Sequence, residues 1–160
     1  MKGATPDEAL WAALRQAEGR FFAARRLFLA EATDHVGTLR GALGTAAQRG
    51  TALRLLPSIP VAERQLLFDQ LVELCSVGHS DVLLCREAVL ALPRDWVLER
   101  IERSAAPVLS AGGAEEYRRL LELYAELDVD LTRRLATEAL AHSDADVREA
   151  GGDFLSRLPA

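Results

Sequence analysis

Lysine is almost missing from this 160-residue chain: Lys2 is its one example, and arginine supplies the rest of the 19 basic groups. That skew points to a GC-rich, bacterial coding sequence and carries no mechanism. Cysteine is nearly as scarce. Cys75 and Cys85 have nine residues between them, which matches neither a CxxC redox pair nor a zinc knuckle, so they read as reduced core thiols on neighbouring helices. The period-2 alternation of β-branched residues that a strand needs is absent throughout, and only 6 prolines interrupt the chain, which leaves helix as the default. No run approaches the roughly 18 apolar residues of a membrane span. The first eight residues hold acids early and no apolar stretch, so they do not read as a signal peptide and a cytoplasmic protein is expected. Also missing are the GxSxG elbow, the phosphate-cradling GxxxxGK[ST] and GxGxxG loops and the HExxH zinc helix, so neither enzyme chemistry nor a cofactor is expected.

What is present is ordinary in amount, at 49% hydrophobic and 27% charged residues, and 160 residues can bury a core as one domain without staples. The charge is unevenly placed. Residues 1–56 carry +3 and the remainder −8, for a total of −5. An acidic body disfavours nucleic acid, whose binders concentrate Lys and Arg on one face.

Along the chain, Thr5-Pro6-Asp7-Glu8 combines an N-cap, a first-turn proline and a capping-box glutamate. A long amphipathic helix should follow, because Leu10, Leu14, Ala17, Phe21, Ala24 and Phe28 recur at alternating spacings of four and three. That seam fits packing on the chain's own domain, a dimer contact or a membrane surface, with Glu18 and Glu31 against the last. Gly37, Gly41 and Gly44 share one stripe and would permit close approach of another helix. Pro57 and Pro60 then punctuate the chain, separating N-terminal helices over 1–59 from a helical array over 60–160. The array should run from Val61 to Val77, then from Asp81 as a cap to Pro93, then from Asp95 as a cap until Pro107 ends or kinks it. Tyr117, Leu120, Leu121, Tyr124 and Leu127 mark the next helix after Gly112-Gly113. Asp128 or Asp130 starts another, and Asp144 caps the last.

Two of these turns carry the same tripeptide, His79-Ser80-Asp81 and His142-Ser143-Asp144, 63 residues apart, and each is followed by Arg-Glu-Ala at Arg86 and Arg148. Arg118 lies between, so the arginines fall 32 and 30 residues apart, inside the roughly 20–50 residue window of helical repeats. The stretch Asp144-Ala145-Asp146-Val147-Arg148-Glu149-Ala150 resembles the second-helix signature of HEAT repeats; Asp81 to Ala88 resembles it more loosely, and the central unit keeps Arg118 but has Glu115 and Glu116 where the aspartate turn would be. The resemblance covers about residues 60–158. It implies an all-α fold, a short right-handed α-solenoid of three antiparallel helix pairs, with second helices on the concave side and protein binding as the usual task. Each pair has too little area to bury its stripe alone, so neighbours must stack.

The candidate partner-binding residues are Arg86, Arg118, Arg119 and Arg148 with Glu115 and Glu122. The arginines would form a ladder that either bonds acidic turns, at Asp81 and Asp146, or grips carboxylates or phosphates. Glu115, Glu116, Glu122, Glu126, Asp128 and Asp130 form either a solvated face or a patch for a basic peptide. Glu31 with His35 and Glu138 with His142 have ExxxH spacing but lack the further ligands that a metal requires. The expected function is a non-enzymatic adaptor that presents its concave face to a protein, a peptide or a copy of itself. A HEAT-like DNA glycosylase, with Trp96 as platform and Asp95 as carboxylate, and a structural spacer or self-assembling subunit are the alternatives.

Overall fold

A computed structural model describes residues 5–159, which form α-helices and one 3₁₀ turn with no strand among them. The chain divides into two compact units, Met1–His35 and Val36–Ala160.

The first unit is built on α1 (Pro6–Glu31). Its start follows from the sequence. The Glu8 amide donates to the Thr5 hydroxyl (3.2 Å), the Glu8 carboxylate accepts from the Thr5 amide (2.6 Å), and Pro6 occupies a position whose N–H would have no partner. The chain leaves the helix at Ala32 in extended geometry, and the His35 ring lies against Phe28, centroids 5.3 Å apart. None of the helix is buried.

The second unit begins within α2 (His35–Leu43), followed by α3 (Ala46–Leu55) and the 3₁₀ turn Leu56–Ser58. It continues through α4 (Val61–Gln65), α5 (Phe68–Cys75), α6 (Val82–Leu90), α7 (Arg94–Leu98), α8 (Ile101–Ala111), α9 (Ala114–Leu127), α10 (Val129–Leu140) and α11 (Ala145–Leu155). Helices α5 with α6 and α10 with α11 pack as pairs, α9 lies against both α10 and α11 and touches α8 more sparingly, and α5 also meets α8. The core runs through these contacts, with Leu71, Val72, Cys75, Val89, Ile101, Leu120, Leu121 and Val147 fully enclosed.

The two related corners close in the same way. In each, the aspartate amide donates to the histidine Nδ1 two residues earlier, at 3.1 Å for Asp81 on His79 and 3.1 Å for Asp144 on His142. The following caps differ: Asp144 accepts from the Asp146 amide, whereas the Asp81 side chain makes no capping bond to α6. Asp128 caps α10 by accepting from the Asp130 and Leu131 amides.

Several expectations need correction. The helix foreseen over Val61–Val77 is broken at Leu66–Leu67 into α4 and α5. Asp95 lies inside α7, which begins at Arg94 after Pro93, and the chain breaks again at Glu99–Arg100. Pro107 sits within α8 and does not end it, because Ile101 and Ala105 anchor that helix in the core while Pro107 stays exposed. The glycine stripe makes no close helix contact at Gly41, where an added Cβ would meet nothing, or at Gly44, where it would meet its nearest neighbour at 3.5 Å. The close approach is at Gly151 of α11, where a Cβ would stand 2.6 Å from the Ala136 carbonyl of α10.

Candidate functional site

The expected arginine row lies on α6, α9 and α11, and its side chains are already engaged. Arg86, only 8% exposed, ion-pairs with Glu122 one helix pair further on, and Arg119 reaches the same carboxylate at 3.2 Å. Burial raises the pKa of Glu122, but the hydrogen bonds and charges of Arg86 and Arg119 outweigh it and hold the carboxyl below its ordinary range. Arg118 repeats the arrangement, with Asp153 at 3.1 Å and Glu149 at 3.8 Å. Arg148 instead clasps its own turn, donating to the carbonyls of His142 (2.8 Å) and Ser143 (2.7 Å). Neither Asp81 nor Asp146 is the acceptor for these arginines; the reach is to the next pair or to backbone.

The two arginine–carboxylate links between neighbouring helix pairs have matching spans. Arg86 to Glu122 covers 36 residues and Arg118 to Asp153 covers 35, the donors lying 32 and the acceptors 31 residues apart (118 − 86 and 153 − 122). Arg94 donates to the Leu127 carbonyl at 3.0 Å and to Asp128 at 2.9 Å, Ser104 to Asp69, and Arg134 to Glu102 at 3.0 Å, over spans of 32–35 residues. Arg94, Glu102, Arg134 and Asp153 had no distinguishing local sequence mark; only the repeat interval, applied to opposite charges, could have found them.

The acidic centre is divided among local tasks. Glu115 accepts from the Gly78 amide (2.8 Å) and Glu116 from the Gly113 amide (2.8 Å). Asp128 caps α10, and Asp130 pairs with Arg133 at 2.8 Å. Trp96 packs edge-on against Phe68, centroids 5.0 Å apart, while the Arg100 guanidinium covers its ring at 4.5 Å. The ring that a base-extruding reading needs as an open platform is therefore capped by Arg100 and abutted by Phe68. His142 sits against Tyr117, centroids 5.4 Å apart, and among the described residues no three His, Cys, Asp or Glu side chains are grouped to hold a metal ion.

Two recesses of the second unit border α8 and α9. Between α5 and α8 runs a groove of about 520 Å³. Val77, Pro107, Val108 and Ala111 supply its apolar lining, Asp69, Glu73 and Glu116 its charges, and no basic residue lines it. A smaller cleft of about 340 Å³ opens between α8 and α10 over Tyr117 and Tyr124, with the Glu102–Arg134 pair and Glu138 among its walls. Burial, together with the nearby Glu138, pushes both phenols above their usual pKa, so they stay protonated there. No helix among the described residues is long and apolar enough to cross a membrane. No protein-family model, curated protein or solved structure matches the chain.

Proposed function

We propose that this chain is a non-enzymatic protein-interaction module, a short HEAT-like solenoid in which the second-helix arginines join successive units and a basic, partly apolar peptide segment docks in the groove between α5 and α8. The observation that carries the reading is the lining of that groove: an apolar floor, three carboxylates and no cation. A positively charged segment with apolar side chains would satisfy both, and the acidic body would steer it there. The matched reach of the Arg86–Glu122 and Arg118–Asp153 pairs supports the solenoid, since stacking of like units would carry each donor to the equivalent acceptor one repeat along. The arginine row serves as a joint in this reading, because its guanidiniums are spent on internal carboxylates and carbonyls.

The test is fluorescence anisotropy with a fluorescein-labelled peptide of alternating arginine and leucine. Binding should weaken as salt rises. Asp69→Lys with Glu73→Lys should weaken it by at least about tenfold, equivalent to ~1.4 kcal/mol, while the circular dichroism spectrum stays unchanged. Affinity indifferent to both the double substitution and salt would refute the groove as the site.

A further inference from the structure

From Leu14 onward the seam of α1 alternates large and small residues. Written as heptads, its a positions are Leu14, Phe21 and Phe28 and its d positions Leu10, Ala17 and Ala24. Leu10 is 71% exposed, Leu14 60% and Phe21 49%, with Trp11 and Leu27 on the flanks at 61% and 55%. Between the large residues lies a notch of about 450 Å³ lined by Trp11, Leu14, Arg15, Ala17, Glu18 and Phe21. Four of these, Leu14, Ala17, Glu18 and Phe21, have the i−3, i, i+1, i+4 spacing of the hole that receives one knob from a facing helix. Alanine at the centre makes it deep enough for a ring.

We propose that α1 pairs with α1 of a second copy of this chain, running antiparallel, so that Phe21 of each fills the notch around Ala17 of the other. Reversing the direction sets each seam position i against 38 − i. Leu10 then meets Phe28, Leu14 meets Ala24 and Ala17 meets Phe21, so the central layers each join a large residue to a small one. A parallel pair in register would stack Phe21 on Phe21 and Ala17 on Ala17, crowding some layers and leaving voids in others. Size alone selects the direction: both pairings set like charges together, Arg20 against Arg25 in the parallel one and Glu18 against Glu18 and Arg20 against Arg20 in the antiparallel one, which also brings Arg25 beside Trp11 of the other copy, a cation–π contact.

The area suits a dissociable dimer. With ~150–250 Å² per aromatic side chain and roughly 100 Å² per leucine, the exposed fractions of Leu10, Trp11, Leu14, Phe21 and Leu27 amount to roughly 400 Å² per copy. Adding Phe28, the alanines and the arginine stems brings the pair to roughly 1,000 Å², the lower bound for a specific interface. The inference does not rest on the peptide groove and stands or falls apart from it.

Sedimentation equilibrium of the full chain should resolve a monomer–dimer equilibrium, and Phe21→Glu should raise the dissociation constant at least tenfold without changing the melting of the body. Oxidative cross-linking tests direction, because the two Glu18 side chains meet at the antiparallel dyad whereas Ala17 faces its own copy only in the parallel pair. Glu18→Cys should form a disulfide-linked dimer and Ala17→Cys should not, with Cys75 and Cys85 buried and silent. A monomeric wild type, or a dimer indifferent to Phe21→Glu, would overturn the pairing; cross-linking through Ala17→Cys in place of Glu18→Cys would overturn its direction.

Discussion

Two adjacent glycines in α11 should respond to alanine with opposite signs. In a helix interior Gly→Ala ordinarily stabilises by about 0.5–1 kcal/mol, because glycine has more chain freedom to lose on folding. At Gly152 nothing lies within 4 Å of an added Cβ, so that gain should be realised in full. At Gly151 the same atom would stand 2.6 Å from the Ala136 carbonyl oxygen, 2.9 Å from the Ala139 Cβ and 3.3 Å from the Leu140 amide. Two of these three neighbours are backbone of α10, which cannot swing aside as a long side chain can. Forcing the helices apart costs about 1–3 kcal/mol, which outweighs the propensity gain and leaves Gly151→Ala destabilised by ~1–2 kcal/mol. Urea unfolding followed by helical circular dichroism would read both variants against the wild type. The expected result is a lower midpoint for Gly151→Ala and a higher one for Gly152→Ala, at unchanged slope, with melting temperatures moving by about 2–4 °C per kcal/mol. Equal stabilisation by both substitutions would refute the close crossing of α10 and α11.

Cys75 and Cys85 should resist Ellman's reagent at pH 8 in the folded protein and react at once in urea, since burial pushes the Cys85 thiol up to about 11 and Cys75 higher still. Acid should destabilise the second unit through Glu122 and Asp128. The carboxyl of Asp128 is held low chiefly by the amides it caps, and that of Glu122 by Arg86 and Arg119 against the opposing effect of burial. Both therefore contribute above the ordinary carboxylate pKa of about 4, and the contribution fades as pH falls through their lowered values; Asp128→Asn should flatten part of the decline in thermal melts between about pH 4 and pH 2. His142→Ala should cost about 0.5–1.5 kcal/mol, one net hydrogen bond, in urea titrations, and His79→Ala up to about twice as much, because both rings accept through Nδ1 while the His79 Nε2–H also donates to the Leu74 carbonyl at 2.9 Å. A cost at one corner only would show that the repeated tripeptide does not do the same work twice.

Legibility followed the range of the interactions. Helix α9 could be read from Tyr117, Leu120, Leu121, Tyr124 and Leu127 because periodicity along one helix is local, and all five are buried. The Thr5 capping box and the Asp144 cap were equally plain, since each involves partners within three residues. Asp81 misled because a cap requires the side chain to turn toward the helix, and at that corner no such bond forms despite the same His–Asp turn. Pro107 misled because its exposed position tolerates the missing donor while the buried residues before it hold α8 in place. The charged residues were the hardest to assign. Opposite charges such as Arg118 and Asp153 become neighbours only once α9 and α11 pack together, so their pairing depends on a register that no local window contains. The glycines show the same limit: Gly41 and Gly151 look alike in sequence, and only the crossing of α10 and α11 makes the second one close-packed.

The most direct test of the account is a double-mutant cycle on the joint between units, combining Arg86→Met and Glu122→Gln in urea unfolding, with peptide affinity measured on the same proteins. A coupling of about 1 kcal/mol or more between the two sites, in the range of a charge-assisted hydrogen bond, together with unaltered peptide binding, is the predicted result. Coupling near zero, with peptide affinity lost in Arg86→Met, would contradict it and return the arginine row to the role of a grip on the partner.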